Sequence, residues 1–363
     1  MSVFEKIREG FLDRKKTFLC LFIGLLSFFF LKEASYFLYQ TSPGSQVIDS
    51  GAYYASKSDL SEGHDSDSFL FPYHLKILRS DLSPQEFKNY CKFLLYIATA
   101  ILISYSSFTR GYFFGIFIGF FLLFSPLYLI QNTWLGFADH LTFLWSVLLL
   151  LFLDQYYKNK DRKIYSYAIL LILILGSWTH FYQFLIISFL IMFLFFREKK
   201  EMDLNILKVF VSGVLAGRIS AFLIFYAQGI EWNERRLYTA GAHGFRHWYS
   251  NHTKHLLLSL LSFFNGLLPL FFENLLQRRI SFYLVFLGAI LITFFTADAT
   301  RVFANLFYPL WIGFWLLRAN KGFSKNEKWI LTSGLVLAFL YLLLLDPFYQ
   351  WGGDIFFLKK GKL

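Results

Sequence analysis

The chain has 363 residues, of which 56% are hydrophobic and only 16% are charged, with 48 Phe and a formal net charge of +11. A soluble domain carries about 25% charged residues, and its core could not bury this much aromatic surface in so short a chain. The composition therefore excludes a soluble protein and indicates a chain that crosses a membrane with helices.

Apolar segments of roughly the length of a membrane span follow one another along the whole chain. We predict eleven spans, near 17–38, 92–108, 112–130, 141–157, 165–180, 182–196, 207–228, 255–273, 280–296, 302–317 and 329–346. The first has basic residues before it and no small-residue cleavage site after it, which indicates an uncleaved span. The predicted fold is an all-α, polytopic transmembrane helical bundle that forms one domain over residues 1–363.

Basic residues alternate between the connections of these spans. More than half of the 35 Lys and Arg lie in 1–16, 109–111, 158–164, 197–206, 274–279 and 318–328. Membrane insertion retains positive charge in short cytoplasmic loops. We therefore predict a cytoplasmic N-terminus and an outer C-terminus, and the positive charge needs no nucleic-acid partner.

The predicted outer face carries two long loops, 39–91 and 229–254, and the segment 69–79 has the spacing of a short interfacial helix. All eight histidines fall on this face: His64, His74, His140, His180, His243, His247, His252 and His255. Titratable groups gathered on one face are typical of an enzyme rather than of a bare channel or anchor.

Asp49 follows the first span by about ten residues, in the sequence Val-Ile-Asp-Ser-Gly-Ala-Tyr-Tyr. A carboxylate close to a bilayer surface is partly desolvated, which suits a general base that removes a proton from a hydroxyl. The alternative is that Asp49 is the N-cap of a helix that begins at Ser50.

Asp65 and Asp67 form an Asp-x-Asp pair beside His64. Two carboxylates and an imidazole could hold a divalent cation, Mg²⁺ or Mn²⁺, that offsets the charge of a phosphate leaving group. The same pattern is typical of a solvated acidic loop. The sequence therefore does not decide whether the protein binds a divalent cation.

Arginines on the outer face are candidate phosphate ligands, because a guanidinium binds phosphate through two hydrogen bonds and stays charged. Arg301 follows Asp298 by three residues, and the alternative is a local Asp–Arg pair at a helix end. Arg235 and Arg236 are a second pair, for which contact with lipid headgroups is the alternative.

Arg218 is the one basic residue well inside a predicted span. Ionisable residues at such positions usually face a cavity or a partner, so Arg218 is a candidate ligand for neighbouring polar groups or a lipid phosphate. His140 and His180 lie near predicted span ends, where either could orient a carboxylate or contact a sugar hydroxyl.

The first outer loop resembles that of the GT-C superfamily of membrane glycosyltransferases. In that superfamily an Asp soon after the first span is followed by small residues and Tyr, then by an apolar segment with Pro; this chain has Asp49, Ala52, Tyr53, Tyr54 and Phe71-Pro72. Asp139-His140, before the fourth span, is similar to the second acidic position, and the turn 298–309 resembles an outer motif of related bacterial membrane proteins. Asp49 departs from the pattern, since Ser50 stands where many members have a second acidic residue.

The resemblance implies an inverting glycosyltransferase that moves a sugar from a polyprenyl-phosphate-linked donor to a glycan, lipid or protein acceptor on the outer leaflet. The superfamily includes protein O-mannosyltransferases, aminoarabinose transferases and oligosaccharyltransferases. By the resemblance, Asp49 is the catalytic base, Asp139 a second catalytic carboxylate that positions sugar or acceptor, and Tyr53 part of the substrate site. Arg301, or alternatively Arg235 or Arg236, would stabilise the departing phosphate.

Three other functions stay open. A polymerase or ligase of surface polysaccharide would share the outer site but use lipid-linked oligosaccharides. A lipid or solute transporter should show internal repeats and broken helices with polar residues near the bilayer midplane. A scaffold subunit of an envelope complex would leave the outer carboxylates unexplained. The high Phe, Lys and Ile content favours a bacterial inner membrane, with the site facing outward.

Overall fold

The computed structural model describes residues 3–40, 68–70, 83–135, 138–160, 162–200, 203–232, 250, 252–277, 279–296 and 298–359, with side chains from Lys15 onward. In chain order, the helices are α1 (Val3–Tyr39), α2 (Pro84–Arg110), α3 (Tyr112–Leu123), α4 (Pro126–Thr133), α5 (Asp139–Lys158), α6 (Lys163–Lys199), α7 (Leu204–Ala227), α8 (Leu256–Ser262), a 3₁₀ turn (Asn265–Leu267), α9 (Leu268–Leu276), α10 (Ile280–Thr293), α11 (Ala299–Ala319) and α12 (Lys325–Leu344). Two strands follow, β1 (Phe348–Trp351) and β2 (Asp354–Phe357).

Six of these helices are long and apolar enough to cross a membrane, and the number rises to eight if each of two bent pairs is one span. The bends are 53° between α3 and α4, and 86° between α8 and the segment Asn265–Leu276. Large apolar side chains such as Phe18, Leu257 and Leu344 are exposed along the helices, as expected of surfaces that face lipid. The chain is thus a helical protein with several apolar helices of spanning length.

The helix α2 begins earlier than the predicted second span. Ser83 accepts a hydrogen bond from the backbone of Glu86, whose side chain accepts from the backbone of Ser83, and Pro84 occupies the first turn. This capping box extends the helix into the segment assigned to the first outer loop. The sequence prediction missed it because only the apolar part of the helix was counted.

The 37-residue helix α6 reverses direction at His180, whose φ of −161° and ψ of 88° are not helical. Residues from both ends of α6 pack on the last turns of α5. The ring of Tyr165 lies against Phe152, with centroids 6.4 Å apart, and the ring of Phe195 lies against Tyr157, with centroids 5.8 Å apart. A straight helix of this length would separate its ends by about 55 Å. The segment is therefore a helical hairpin, as expected from the two predicted segments 165–180 and 182–196.

Connections predicted to be cytoplasmic meet at one end of the bundle, here called the Arg318 end. Asp154 is fully buried there and binds Arg110 through both carboxylate oxygens, at 2.8 and 2.9 Å. Further pairs join the other connections at the same end: Lys160–Asp203 at 3.8 Å, Arg279–Glu198 at 2.8 Å and Arg318–Glu273 at 3.0 Å. The bundle therefore gathers its basic connections on one side.

The helix α11 is the centre of the bundle, because all but Val302 of its 21 residues are buried. A helix that is apolar all round must be enclosed by other elements. Aromatic side chains from α8–α10 surround it; for example, Phe263 stacks on Phe303 with ring centroids 4.2 Å apart. Polar side chains enter this core at its N-terminal end, where Thr300 and Arg301 are buried.

A β-hairpin follows α12 and lies at the other end of the bundle, here called the Asp139 end. Its turn uses Gly352 and Gly353, both with positive φ, and pairs Trp351 with Asp354. Two central residues of positive φ are what tight hairpin turns require. The prediction of an all-α fold missed this hairpin, although Gly-Gly between aromatic segments is a hairpin pattern.

The helix α7 packs closely on the first half of α6 through two small residues, Gly217 and Ser177. A Cβ at Gly217 would lie 2.8 Å from Ser177 Cβ, whereas a Cβ at Gly288 of α10 would lie 3.4 Å from the nearest atom, Leu190 Cδ2. We expect Gly217→Ala to lower the free energy of unfolding by about 1–3 kcal/mol, because helices in contact must move apart. Gly288→Ala should not lower it, because the added methyl group makes only an ordinary contact and Ala favours a helix over Gly by up to about 1 kcal/mol. Thermal unfolding of both variants in the same detergent tests this, and equal effects would contradict the close approach.

Candidate functional site

Four elements from three distant parts of the chain form a polar cluster at the Asp139 end. The last turn of α4, the first turn of α5, the first two turns of α11 and strand β1 meet here. Ser125 caps α4 and Pro126 opens it after the bend that ends α3, which turns its polar C-terminal residues toward α11. The ring of Tyr349 in β1 packs edge-on against Trp134 at 5.2 Å, and Gln350 N donates to Thr300 Oγ1 at 2.8 Å.

The centre of the cluster is Arg301, which lies between two carboxylates. Its Nε donates to Asp139 Oδ2 at 2.7 Å, and its Nη1 donates to Asp298 Oδ2 at 2.5 Å. The guanidinium lies 5.7 Å from the ring centre of Trp134. Asp139 and Arg301 are 2% and 9% exposed, so their pairing offsets a large desolvation penalty. With all three groups ionised, they carry a net charge of −1.

Two amides extend the cluster beside Asp139. Gln131 Nε2 donates to Asn305 Oδ1 at 2.9 Å, and His140 Nε2 lies 2.7 Å from the carbonyl oxygen of Gln131. Within the described part of the chain, Asp139 Oδ1, Gln131 Oε1 and Asn305 Nδ2 are buried and have no hydrogen-bond partner. If both amides were turned round, the pair would still present one acceptor and one donor. The cluster therefore contains a carboxylate oxygen and an amide pair whose hydrogen-bonding capacity is not used within the described part of the chain.

The backbone of α11 adds polarity at the same place. Pro309 lies inside the helix and cannot donate the hydrogen bond that the carbonyl of Asn305 would otherwise receive. Thr300 exchanges a hydrogen bond of 2.6 Å with Ser262 of α8. His252 is buried nearby, with Nε2 bonded to the carbonyl of Thr296.

The sequence candidates Asp139, His140, Asp298 and Arg301 are brought together in this cluster. The local Asp298–Arg301 pair, which was the alternative interpretation, is present, but Arg301 also binds Asp139 across 162 positions of sequence. His180 lies at the reversal of α6, in another part of the chain from these four residues. Asp49, Tyr53, His64, Asp65, Asp67, Arg235 and Arg236 lie outside the described residues.

Arg218 lies inside α7, as predicted, but its guanidinium is held between two aromatic rings. Its Cζ is 4.3 Å from the centre of Phe181 and 4.5 Å from the centre of Trp232. Phe181 follows the reversal of α6, and Trp232 follows the end of α7, so the side chain extends toward the Asp139 end. Cation–π contacts of this kind stabilise a charge that is removed from water.

Gln131, Asn305 and Trp134 were missed as site residues. Asn305 follows Arg301 by four positions and so shares its helix face, a signal that the sequence does contain. Gln131 and Trp134 lie between two apolar segments. Their positions in the sequence do not distinguish them from the residues of an ordinary turn. Only the bend between α3 and α4 brings them to α11.

A metal site is not formed by the described residues, among which no group of three His, Cys, Asp or Glu could hold an ion. Asp139 and Asp298 are each bound to the Arg301 guanidinium that lies between them. The predicted cation site at Asp65, Asp67 and His64 lies outside the described residues and stays a prediction.

No protein-family model matches the sequence, and no curated protein or solved structure is significantly similar to it. The resemblance to GT-C enzymes therefore rests on the residues quoted for it.

Removing Arg301 should destabilise the protein more than removing its partner's charge. Arg301→Met leaves the buried Asp139 carboxylate unpaired, which typically costs about 3–5 kcal/mol. Asp139→Asn keeps an acceptor for Arg301, which stays paired with Asp298, and should cost about 1–2 kcal/mol. Thermal unfolding of the two variants and of Arg301→Met/Asp139→Leu measures this, with part of the loss recovered in the double variant. A larger loss in Asp139→Asn than in Arg301→Met would contradict the pairing.

His252 should make stability depend on pH. Burial lowers the pKa of this imidazole, which lies outside the apolar helices, below its usual value of 6.5. As the pH falls below about 6.5, the unfolded chain binds a proton that the folded state excludes, so stability is lost on the acid side. We expect His252→Gln to flatten the pH dependence of the melting temperature between pH 7.5 and about 5.5, while the exposed His255→Gln leaves it unchanged. The same slope in both variants would exclude His252 as its source.

Proposed function

We propose that the chain is a membrane glycosyltransferase that moves a sugar from a polyprenyl-phosphate-linked donor to an acceptor at the Asp139 end of the bundle. The observation that carries the proposal is the buried Asp139, held by Arg301 through Oδ2, with the Gln131–Asn305 amide pair next to its backbone carbonyl. Its Oδ1 has no hydrogen-bond partner in the described part of the chain. Carboxylates and amides are acceptors and donors that match sugar hydroxyls.

Asp139 suits a positioning role in this reaction. The bond to Arg301 fixes the plane of its carboxylate, so that Oδ1 can accept a hydrogen bond from a sugar or acceptor hydroxyl in one orientation. By the resemblance, Asp49 would be the base. The acceptor oxygen would form a bond to the anomeric carbon as the bond from that carbon to the phosphate oxygen breaks, with inversion; polyprenyl phosphate would leave, and the acceptor proton would pass to Asp49.

Arg301 suits the stabilisation of the departing phosphate, on one condition. Its guanidinium is bound by both Asp139 and Asp298, and the net charge of the three groups repels an anion. A phosphate must therefore take the place of Asp298, whose side chain is 19% exposed, rather than that of the more buried Asp139. Exchange of one anion for another keeps the buried guanidinium paired throughout.

The orientation that we propose follows from the positive charge at the Arg318 end. Short loops rich in Lys and Arg stay in the cytoplasm, so the Asp139 end and the C-terminal hairpin would face outward. The eleven spans that we propose are reached from the eight by counting the two halves of α6 separately and adding α5 and the shorter α10. The N-terminus would then be cytoplasmic. A bacterial inner membrane with a site toward the periplasm remains our proposed location.

A transporter is the second candidate, favoured by the bends at α3–α4 and α8–α9. Broken helices that expose polar groups inside the bundle are typical of transporters. Asn265, with a positive φ of 44°, bridges the second break through hydrogen bonds to Ser262 and Phe348. The bond to Ser262 satisfies one backbone carbonyl at the break, and the bond to Phe348 joins the break to β1, so Asn265 has a structural role there.

Transfer by the purified protein tests the proposal. The protein in lipid nanodiscs is supplied with radiolabelled polyprenyl-phosphate sugars and membrane acceptors. We expect Asp139→Asn to lower transfer about 100-fold, since a lost transition-state contact is typically worth that much. Asp354→Asn, an exposed carboxylate in the hairpin, should change it less than about twofold. Asp49→Asn should abolish transfer.

Equal transfer by wild type and Asp139→Asn would remove Asp139 from the site. If the wild type transferred none of the sugars, flux of the same donors through proteoliposomes would decide between the enzyme and the transporter.

A further inference from the structure

A second polar cavity lies at the Arg318 end, on the opposite side of the bundle from the Asp139 cluster. It has a volume of about 460 Å³ and lies between the segment that links α9 to α10 and the turn that links α11 to α12. Ligand pockets commonly have volumes of about 300–1,000 Å³. The cavity is therefore large enough for a small charged group.

Its lining carries three cations, Arg279, Arg318 and Lys321, against one carboxylate, Glu327. Glu198 and Glu273, which bind the two arginines, are not among the lining side chains. Guanidinium and ammonium groups that converge on one cavity are the usual ligands of phosphate. With Glu198 and Glu273 counted beside Glu327, the three carboxylates balance the three cations. An anion must therefore take the place of Glu327, whose side chain is 34% exposed, at Arg318.

Arg318 is held in place before any ligand arrives. Both of its terminal nitrogens bind Glu273, at 3.1 and 3.0 Å, and Nη2 also binds Glu327 at 2.7 Å. Its guanidinium lies 4.9 Å from the ring of Trp315, and its side chain is 4% exposed. A cation fixed in this way loses little conformational entropy when it binds an anion.

Lys321 and Ser324 lie on the turn between α11 and α12. The turn depends on Gly322, whose φ of 74° strains other residues. Ser324 caps α12 and lines the cavity at the positive end of that helix dipole. Lys321 is exposed, so its charge can be changed without removing a packed side chain.

Exposed apolar side chains border the cavity on the α9–α10 segment and near the start of α12. Leu276 and Ile280, next to the lining residues Gln277 and Arg279, are 80% and 59% exposed, and Trp329 is exposed two positions after Glu327. Large exposed apolar side chains on a membrane protein mark the surface that meets lipid chains, and Trp is common at the headgroup level. The cavity therefore lies where a lipid headgroup meets its acyl chains.

We propose that this cavity binds the phosphate headgroup of an anionic membrane lipid, as a site separate from the Asp139 cluster. The phosphate lies among Arg279, Arg318 and Lys321, and the acyl chains lie along Leu276 and Ile280. The bound lipid ties the α9–α10 segment to the α11–α12 turn.

Calorimetric titration of the detergent-solubilised full chain tests the site with three probes: short-chain phosphatidylglycerol, glycerol 3-phosphate and inorganic phosphate. We expect phosphatidylglycerol to bind at one site, and Lys321→Gln to weaken it about fivefold, the effect of one basic residue at a membrane surface. The matched control is Lys163→Gln, an exposed lysine at the start of α6 and outside the cavity lining, which should change the affinity less than twofold. Asp139→Asn should leave it unchanged.

Equal weakening by Lys321→Gln and Lys163→Gln would show attraction to the whole basic surface and overturn the site. Unchanged binding in Lys321→Gln would overturn it as well. Binding of glycerol 3-phosphate as tight as that of the lipid, and equally sensitive to Lys321, would overturn the lipid as ligand and assign the cavity to a soluble phosphate ester.

Discussion

The structure depends on one helix that carries an arginine near each end. Arg301 and Arg318 of α11 are 17 residues apart, a rise of about 25 Å, which is close to the thickness of the apolar part of a bilayer. Each is bound by two carboxylates: Arg301 by Asp139 and Asp298, and Arg318 by Glu273 and Glu327. A buried charge is tolerated only when it is paired, so these contacts fix the position of α11 along the bundle axis.

Between the two arginines, aromatic packing determines which helices surround α11. Rings of Phe264, Phe271 and Phe282 contact Trp311 at 6.0–6.1 Å, and Phe282 also contacts Phe314 at 4.9 Å. Inside a membrane the hydrophobic effect does not hold helices together, because lipid tails are as apolar as the side chains. Shape complementarity of large rings supplies the van der Waals contact instead. The high Phe content thus serves the interior of the bundle as well as its lipid-facing surface.

The two ends of α11 differ in the polar groups that surround their arginines. At the Asp139 end, the carboxylate and the amide pair have buried polar atoms with no partner in the described part of the chain, which suits recognition of an uncharged polar ligand. At the Arg318 end, Arg279, Arg318 and Lys321 line an open cavity with the partly exposed Glu327, which suits an anion that takes the place of Glu327. The same pairing principle therefore produces two chemically different surfaces, joined by one rigid helix.

The sequence by itself determined the membrane class, the helix positions and the grouping of the basic connections, because these follow from run length and from the local distribution of charge. It also named Asp139, His140, Asp298 and Arg301, since charged residues at the ends of apolar segments are conspicuous. The tertiary structure alone decided that Arg301 binds Asp139, that Gln131 and Asn305 join them, and that the C-terminal hairpin covers Trp134. Those contacts depend on the bend after α3 and on the burial of α11, which arise from packing between segments up to 215 positions apart and leave no local pattern in the chain.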